Sequence, residues 1–421
     1  MSLPRSIAET PPDIGIPPVR SQWPRHEPDE IAAVTAVLES GRVNALLHGE
    51  QTRALASEFA AFIGATDGCG DEPGKEPLAG MCLANGTVSL EVGLRALGIG
   101  PGDEVVVPAR SFFASASCVL ACGATPVFAD VDPFSQNIDP ASVERMIGPM
   151  TRAILCVHLA GWPCDMDALV ALCRTHGLFL VEDCAQAHGA HWRGQRVGSF
   201  GDISSFSFCT DKIMSTGGEG GLLLTRSPEI WRKAWSIKDH GKDHARATDG
   251  KGIAGEFRYI HVRAGTNARM TEMQAAIGRR QLAKLPRWLA QRQANLASLR
   301  EALEQVPGLI LPQPPAHAGH AGYKAYVLLE GDGATMERRR GEAVRALLAR
   351  GIPAAPGSCP DMSREPAFDG LPPGRDGDLP QAAALGARSV MLPCDHTLDE
   401  ADMIRMARGL QDVLMQDILE A

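Results

Sequence analysis

The sequence predicts an α/β protein: a large domain with a mostly parallel central sheet flanked by helices, followed by a small C-terminal α+β domain. Two observations carry that prediction. From about residue 80 to about residue 225, short apolar runs alternate with stretches of helical periodicity, the pattern of successive β-α units. Beyond them, TEMQAAIGRRQLAKLPRWLAQRQANLASLREALEQ has the spacing of a long amphipathic helix, a link between two domains.

MCLANGT reads as the first strand and its exit, and VSLEVGLRALG as a helix closed by Gly98. PGDEVVVP is then a turn and a second strand, and TPVFADV, AILCVHLAG, GLFLVED, ISSFSF and GGLLLT are the later strands. The stretch Asp67–Gly80, DGCGDEPGKEPLAG, is rich in glycine, proline and acid and reads as a surface loop before the first strand. KDHARATDGKGIAGEF reads as a second long loop. After the linking helix, KAYVLLE is a strand, MERRRGEAVRALLARG a helix and DEADMIRMARGLQDVLMQDIL a closing helix. The expected division is an N-terminal segment 1–40 packing on the small domain, a large domain 41–285 and a small domain 286–421.

With 421 residues, 44% hydrophobic and 22% charged, the chain is long enough for a large core and a second domain. Its net charge of −9, with acids and bases interspersed, offers no basic stripe for a nucleic-acid backbone. MSLPRSIAETPPDIGIPPVR has prolines where a secretory signal needs an apolar run, and no later stretch could span a bilayer, so no membrane partner and a cytoplasmic location are expected. The 11 cysteines form no CxxC pair, and their odd number speaks against a complete disulfide framework. Cys118 and Cys122 lie in a helical pattern without further ligands, so buried free thiols are expected and no metal site.

Chemistry is concentrated in two places. Asp183 stands at the end of the apolar run GLFLVED, where open α/β sheets bind ligands, although alone it also reads as a turn cap. Lys212 follows the strand pattern of SSFSFCTDK and alone reads as a surface charge. GGEGG after it lacks the GK[ST] ending of a P-loop, and no G-x-G-x-x-G opens a helix here. Together the two residues suit pyridoxal phosphate. A carboxylate keeps the pyridine nitrogen protonated, and a lysine amine forms the resting Schiff base and then moves the substrate Cα proton. Gly86 and Thr87 at a helix start, with Ser207, can seat the phosphate.

These residues lie in motifs that resemble the DegT/DnrJ/StrS family of sugar aminotransferases, pyridoxal-phosphate enzymes of fold-type I. The similarity runs from about Trp23 to the C-terminus. It rests on GRVN, NGTVSLEVGLRALGIGPGDEVVVPARSFFASA, GATPVFADVDP, VEDCAQAHGAHWRGQRVGSFGDISSFSFCTDK, TGGEGG, HG at His240 and Gly241, and GTNARMTEMQAAIGRRQL. The resemblance implies that Lys212 forms the Schiff base, Asp183 pairs with the ring nitrogen and Phe112 stacks on the ring. It places Gln186 near the ring oxygen and the substrate, and has Asn267 reach the phosphate of the neighbouring subunit, so that a homodimer shares its sites. L-glutamate would be the amino donor and a nucleotide-linked keto-sugar the acceptor, in a ping-pong reaction. Ala268 departs from the aromatic residue common at that position, and SCPDMSREPAFDG follows the family only loosely, so the sugar stays unnamed. His158, His188 and His240 receive no role. The alternatives are a sugar dehydratase, which in this family carries histidine in place of Lys212, an amino-acid-like synthase of the same fold, and a noncatalytic regulator.

Overall fold

Seven strands make the central sheet, and their order differs from their order in the chain. In the computed structural model, which describes residues 17–65, 76–248, 259–331, 333, 335–371 and 379–420, helices α1 (Pro28–Ser40) and α2 (Glu50–Gly64) precede β1 (Ala79–Leu83). There follow α3 (Gly86–Leu97), β2 (Glu104–Pro108), α4 (Ala114–Ala121), β3 (Thr125–Ala129), α5 (Pro140–Met146), β4 (Thr151–Val157), α6 (Met166–His176) and β5 (Phe179–Asp183). A short hairpin, β6 (His191–Trp192) and β7 (Gln195–Arg196), leads to β8 (Ile203–Ser207), β9 (Gly221–Thr225), α7 (Pro228–Lys238) and α8 (His244–Thr248). The remainder is α9 (Glu272–Leu303), β10 (Leu309–Ile310), β11 (Ala318–Gly319), β12 (Lys324–Leu329), α10 (Met336–Ala349), α11 (Pro380–Arg388), β13 (Ser389–Pro393) and α12 (Glu400–Glu420). No helix among the described residues is long and apolar enough to cross a membrane.

The sheet runs β1-β9-β8-β5-β4-β2-β3. Strands β8, β5, β4, β2 and β3 are parallel, and β9 runs against both of its neighbours. The apolar runs VVV of β2, FLV of β5 and LLL of β9 sit under helices on both faces, which is why they read as continuous rather than alternating. Cys118 lies buried inside α4 as a free thiol.

The first strand begins at Ala79, so the loop expected over Asp67–Gly80 yields its last two residues to β1, where they pair with Thr225 and Leu224. Residues 66–75 lie outside the described ones. The second expected loop contains the short helix α8, and residues 249–258 are likewise outside.

Helix α9 ties two cores together. Thr271 caps it in a reciprocal capping box with Gln274. Its buried positions fall three or four apart. Ala275, Leu282 and Leu285 join Phe59, Phe206 and Phe208 under the large sheet, while Leu299 and Leu303 join β12, β13, α10 and α12. Val19 packs in this second core, and Glu27, Asp29 and Glu30 at the start of α1 grip Lys284 of α9. The segment SCPDMSREPAFDG crosses back to the large sheet: Met362 N donates to Ala109 O at 2.7 Å, and the Phe368 ring lies 5.2 Å from both Phe113 and Phe128.

Candidate active site

The parallel strands all end on one edge of the sheet, and the side chains singled out in the sequence hang from those ends. β5 ends at Asp183 and β8 at Ser207, side by side because Asp183 pairs with Ser205. β1 runs out into α3, and antiparallel β9 begins at the same edge, with Gly221 opposite Leu83 and Ser207. A Cβ on Gly86 would stand 2.7 Å from the Ser207 Cβ, and one on Gly221 would stand 2.2 Å from the Asn85 carbonyl oxygen. Glycine at both positions is what lets the first turn of α3 rest on Ser207. The Asn85 side chain accepts from Val88 N at 2.9 Å, and the N–H groups of Gly86 and Thr87 precede it at the positive end of the helix. Thr87 is exposed and Ser207 is buried.

Asp183 is buried. Its Oδ2 accepts from Ser115 Oγ at 2.8 Å and its Oδ1 from Ala185 N at 3.1 Å. Ser115 Oγ in turn lies 3.0 Å from Ser111 Oγ. Burial pushes the Asp183 carboxyl above its ordinary range, outweighing the lowering by Ser115, the Ala185 N–H and the charge of Lys212. Among the described residues no cation touches this carboxylate.

Lys212 stands on the turn after β8. Its N–H donates to Cys209 O at 3.1 Å, and its carbonyl accepts from Trp23 Nε1 at 2.8 Å, so its main chain is held on both sides. Its Nζ lies 3.4 Å from Tyr323 Oη and 3.7 Å from Asp211 Oδ1. Tyr323 donates to Asp211 Oδ2 at 2.6 Å. Burial, together with the Asp211 charge, lifts the Tyr323 hydroxyl well above its ordinary range, so it stays protonated. For Asp211, burial raises the carboxyl, but Lys212, the Tyr323 hydroxyl and Lys324 together bring it below the usual range.

Gln186 is buried, and its Oε1 accepts from Ala160 N at 2.7 Å. Phe112 is 62% exposed at the mouth of the edge. Asn267 is exposed, with its main chain bridged to Asp239, while Ala268 O accepts from Ala84 N at 2.9 Å beside the start of α3. Ala268 is buried among Met81, Leu83, Leu223 and Trp235, so a small side chain fits there.

Residues 24–411 match the DegT/DnrJ/EryC1/StrS aminotransferase family. The chain belongs to that family. It is 35% identical over 381 residues to the dTDP-3-amino-3,4,6-trideoxy-alpha-D-glucose transaminase of Streptomyces venezuelae, covering 90% of this chain and 91% of that one. It is 37% identical to the UDP-N-acetyl-3-dehydro-alpha-D-glucosamine 3-aminotransferase of Acidithiobacillus ferrooxidans, covering 87% and 89%. The solved structure of an aminotransferase from Psychrobacter cryohalolentis superposes with a TM-score of 0.86 at 40% identity, covering 94% and 99%. The protein is an aminotransferase.

In this family member the three histidines differ in setting. His158 Nδ1 accepts from Cys164 N at 3.0 Å and its Nε2 faces Glu182 Oε2 at 3.3 Å. A ring nitrogen that accepts a backbone N–H carries no proton, so His158 is a neutral donor to Glu182. With Cys184 this pair places three possible ligand atoms within 4.8 Å, yet both imidazole nitrogens are already engaged. His188 is buried among Phe59, Phe206 and Phe208, and burial, with Lys212 and Arg292, pushes it down to about 3. His240 is exposed and acts through its main chain, its carbonyl accepting from His261 Nδ1 at 2.8 Å.

Glu182 next to Asp183 is a framing residue that the motif reading passed over. Its carboxylate accepts from the backbone N–H groups of Gly198, Phe200 and Gly201 at 2.7, 2.9 and 2.7 Å. Replacing Glu182 by Ala orphans one buried and two half-buried backbone donors together with buried His158, so we expect a loss of about 3 kcal/mol in chemical denaturation. A loss below about 1 kcal/mol would refute that role. Ser115, Asp211, Tyr323 and Trp23 also escaped the sequence reading. Ser115 had a signal, one helical turn beyond Phe112. Tyr323 and Trp23 had none, because they come from distant parts of the chain.

Proposed function

We propose that this aminotransferase uses pyridoxal phosphate, bound through Lys212, to move an amino group from L-glutamate to a nucleotide-linked keto-sugar. The observation that carries the proposal is a buried carboxylate without a contacting cation, Asp183, one strand away from the amine of Lys212, with a helix start between glycine and serine at the same edge. Those groups fit the cofactor. Its phosphate suits the N–H groups of Gly86 and Thr87 and the hydroxyls of Thr87 and Ser207. Its basic ring nitrogen, once protonated, supplies the cation that Asp183 lacks. When bound, the cofactor acts as an electron sink for bond breaking at the substrate Cα.

The chain's own groups do the rest. Lys212 is the attachment amine and carries the proton to and from the substrate Cα. Exposed Phe112 offers a flat apolar face for the ring. Gln186, whose oxygen is committed to Ala160 N, is left with its NH2 end as a donor towards the ring oxygen. Exposed Asn267, which follows exposed Ile260 and Val262 closely in the chain, supports a homodimer in which this residue reaches the partner's phosphate. The sugar class is supported by the two transaminases above, whose names carry dTDP- and UDP-linked sugars; the nucleotide is left open.

Purified protein reconstituted with the cofactor is expected to be yellow, and glutamate to shift its absorbance band. Protein that stays colourless would refute the cofactor, and a glutamate-insensitive band would refute the donor. The acceptor is tested by offering nucleotide-linked keto-sugars to the glutamate-treated enzyme and weighing the products. A gain of an amino group identifies the sugar, and failure of dTDP-, UDP- and GDP-linked ketones alike would refute the acceptor class.

A further inference from the structure

Transamination frees the Lys212 amine once per catalytic cycle, from the start of the first half-reaction to the end of the second, and a free lysine side chain has about 2 kcal/mol of rotamer entropy with which to wander. The structure gives that amine a built seat. Nζ rests 3.4 Å from Tyr323 Oη and 3.7 Å from Asp211 Oδ1, and 5.0 Å from the centroid of the Tyr323 ring. The seat is joined by the 2.6 Å bond from the Tyr323 hydroxyl to Asp211 Oδ2, so the hydroxyl proton points at the carboxylate and the phenol oxygen is left to accept from Nζ. Lys324 Nζ lies 5.1 Å from the same ring and helps keep Asp211 ionised. Tyr323 comes from the approach to β12 and Asp211 from the turn after β8, so the seat is assembled across 112 residues of chain.

We propose that Asp211 and Tyr323 are positioning residues that dock the Lys212 amine whenever it is free, keeping it within reach of the cofactor to which it must return. The proposal rests on reading Lys212 as the attachment point. The amine is held as a hydrogen-bond donor, no covalent bond forms in the seat, and the polarity runs from Lys212 Nζ–H to the phenol oxygen and from the phenol O–H to Asp211. Trp23, bonded to the Lys212 carbonyl, fixes the main chain, so only the side chain travels.

The test adds pyridoxal phosphate to the cofactor-free full-length chain. Covalent attachment is followed by absorbance and by hydride trapping with mass measurement of the Lys212 peptide; noncovalent affinity is followed by quenching of protein fluorescence. If the wild type forms no bond at Lys212, the reading of Lys212 itself fails before any variant is compared. Given attachment in the wild type, Tyr323→Phe is expected to slow it about tenfold, the scale of one lost hydrogen bond, while noncovalent affinity stays within about twofold. Asp211→Asn is expected to act in the same direction and Asp211→Glu to recover part of the rate. Should Tyr323→Phe fail to fold, the two Asp211 variants decide alone. Attachment at the wild-type rate or faster would overturn the proposal, and so would rate and affinity falling together without recovery by Asp211→Glu, which would mark a merely structural role.

Discussion

Lys212→Ala is expected to abolish turnover, by at least about 10³-fold, in a protein that remains folded. On the proposed reading the loss is large because one amine serves as both attachment point and proton carrier, and among the described residues nothing else on this edge of the sheet duplicates it. Lys324 is the nearest other amine facing the Tyr323 ring, and it starts β12, on a different element from Ser207 and Asp183. The structural cost is small. Nζ has only long contacts, at 3.4 and 3.7 Å, and the Trp23 bond goes to the Lys212 carbonyl, which alanine keeps. A change below about 1 kcal/mol in denaturation is expected. The checks are a donor-to-acceptor assay and a melting curve on the same preparation; residual activity above about 1% in a folded variant would show that another group carries the proton.

The frame of the site was legible because of how parallel strands are buried. VVV, FLV and LLL mark β2, β5 and β9 without any alternation to decode, and Gly98 closes α3 in the left-handed conformation that a helix-ending glycine adopts. Ala79 and Gly80 carry no such signal. They become strand only because β9 offers them partners, a contact about 145 residues away that no local pattern encodes. The same limit separates Asp183 and Lys212 from their surroundings. Each was ambiguous by itself, and what the topology adds is their nearness, because it sets β5 beside β8. Ser115 lies on the Asp183 carboxylate because α4 starts where β2 ends, whereas Tyr323 and Trp23 reach Lys212 from 111 and 189 residues away. Phe368 is a similar case: in SCPDMSREPAFDG it looks like part of a loose loop, yet it wedges between Phe113 and Phe128 and so buttresses the segment that carries Phe112.

Asp183→Asn is expected to separate stability from function in opposite directions. In the cofactor-free chain the buried carboxylate has neutral partners, and burial raises it above its ordinary range. A carboxyl raised on folding favours the native state when protonated, and that contribution is lost as pH rises through the folded value. Ionised Asp183 therefore costs the empty protein stability near neutral pH. Asparagine removes the charge and keeps the bonds: Oδ1 can still accept from Ala185 N, and Nδ2 can donate to Ser115 Oγ, which can turn its own proton to Ser111 Oγ. The cofactor-free variant should melt at or above the wild type at pH 7, and the difference should shrink on acidification as the wild-type carboxyl takes up its proton. Turnover should instead fall by about 10³-fold, because no anion holds the proton on the cofactor's ring nitrogen and the electron sink weakens. Melting curves at two pH values and a single-turnover assay test both halves. A variant that is less stable when empty yet fully active would mean that Asp183 is a structural cap of β5 rather than the partner of the ring nitrogen. Increased stability with full activity would show that some other acid serves the ring nitrogen.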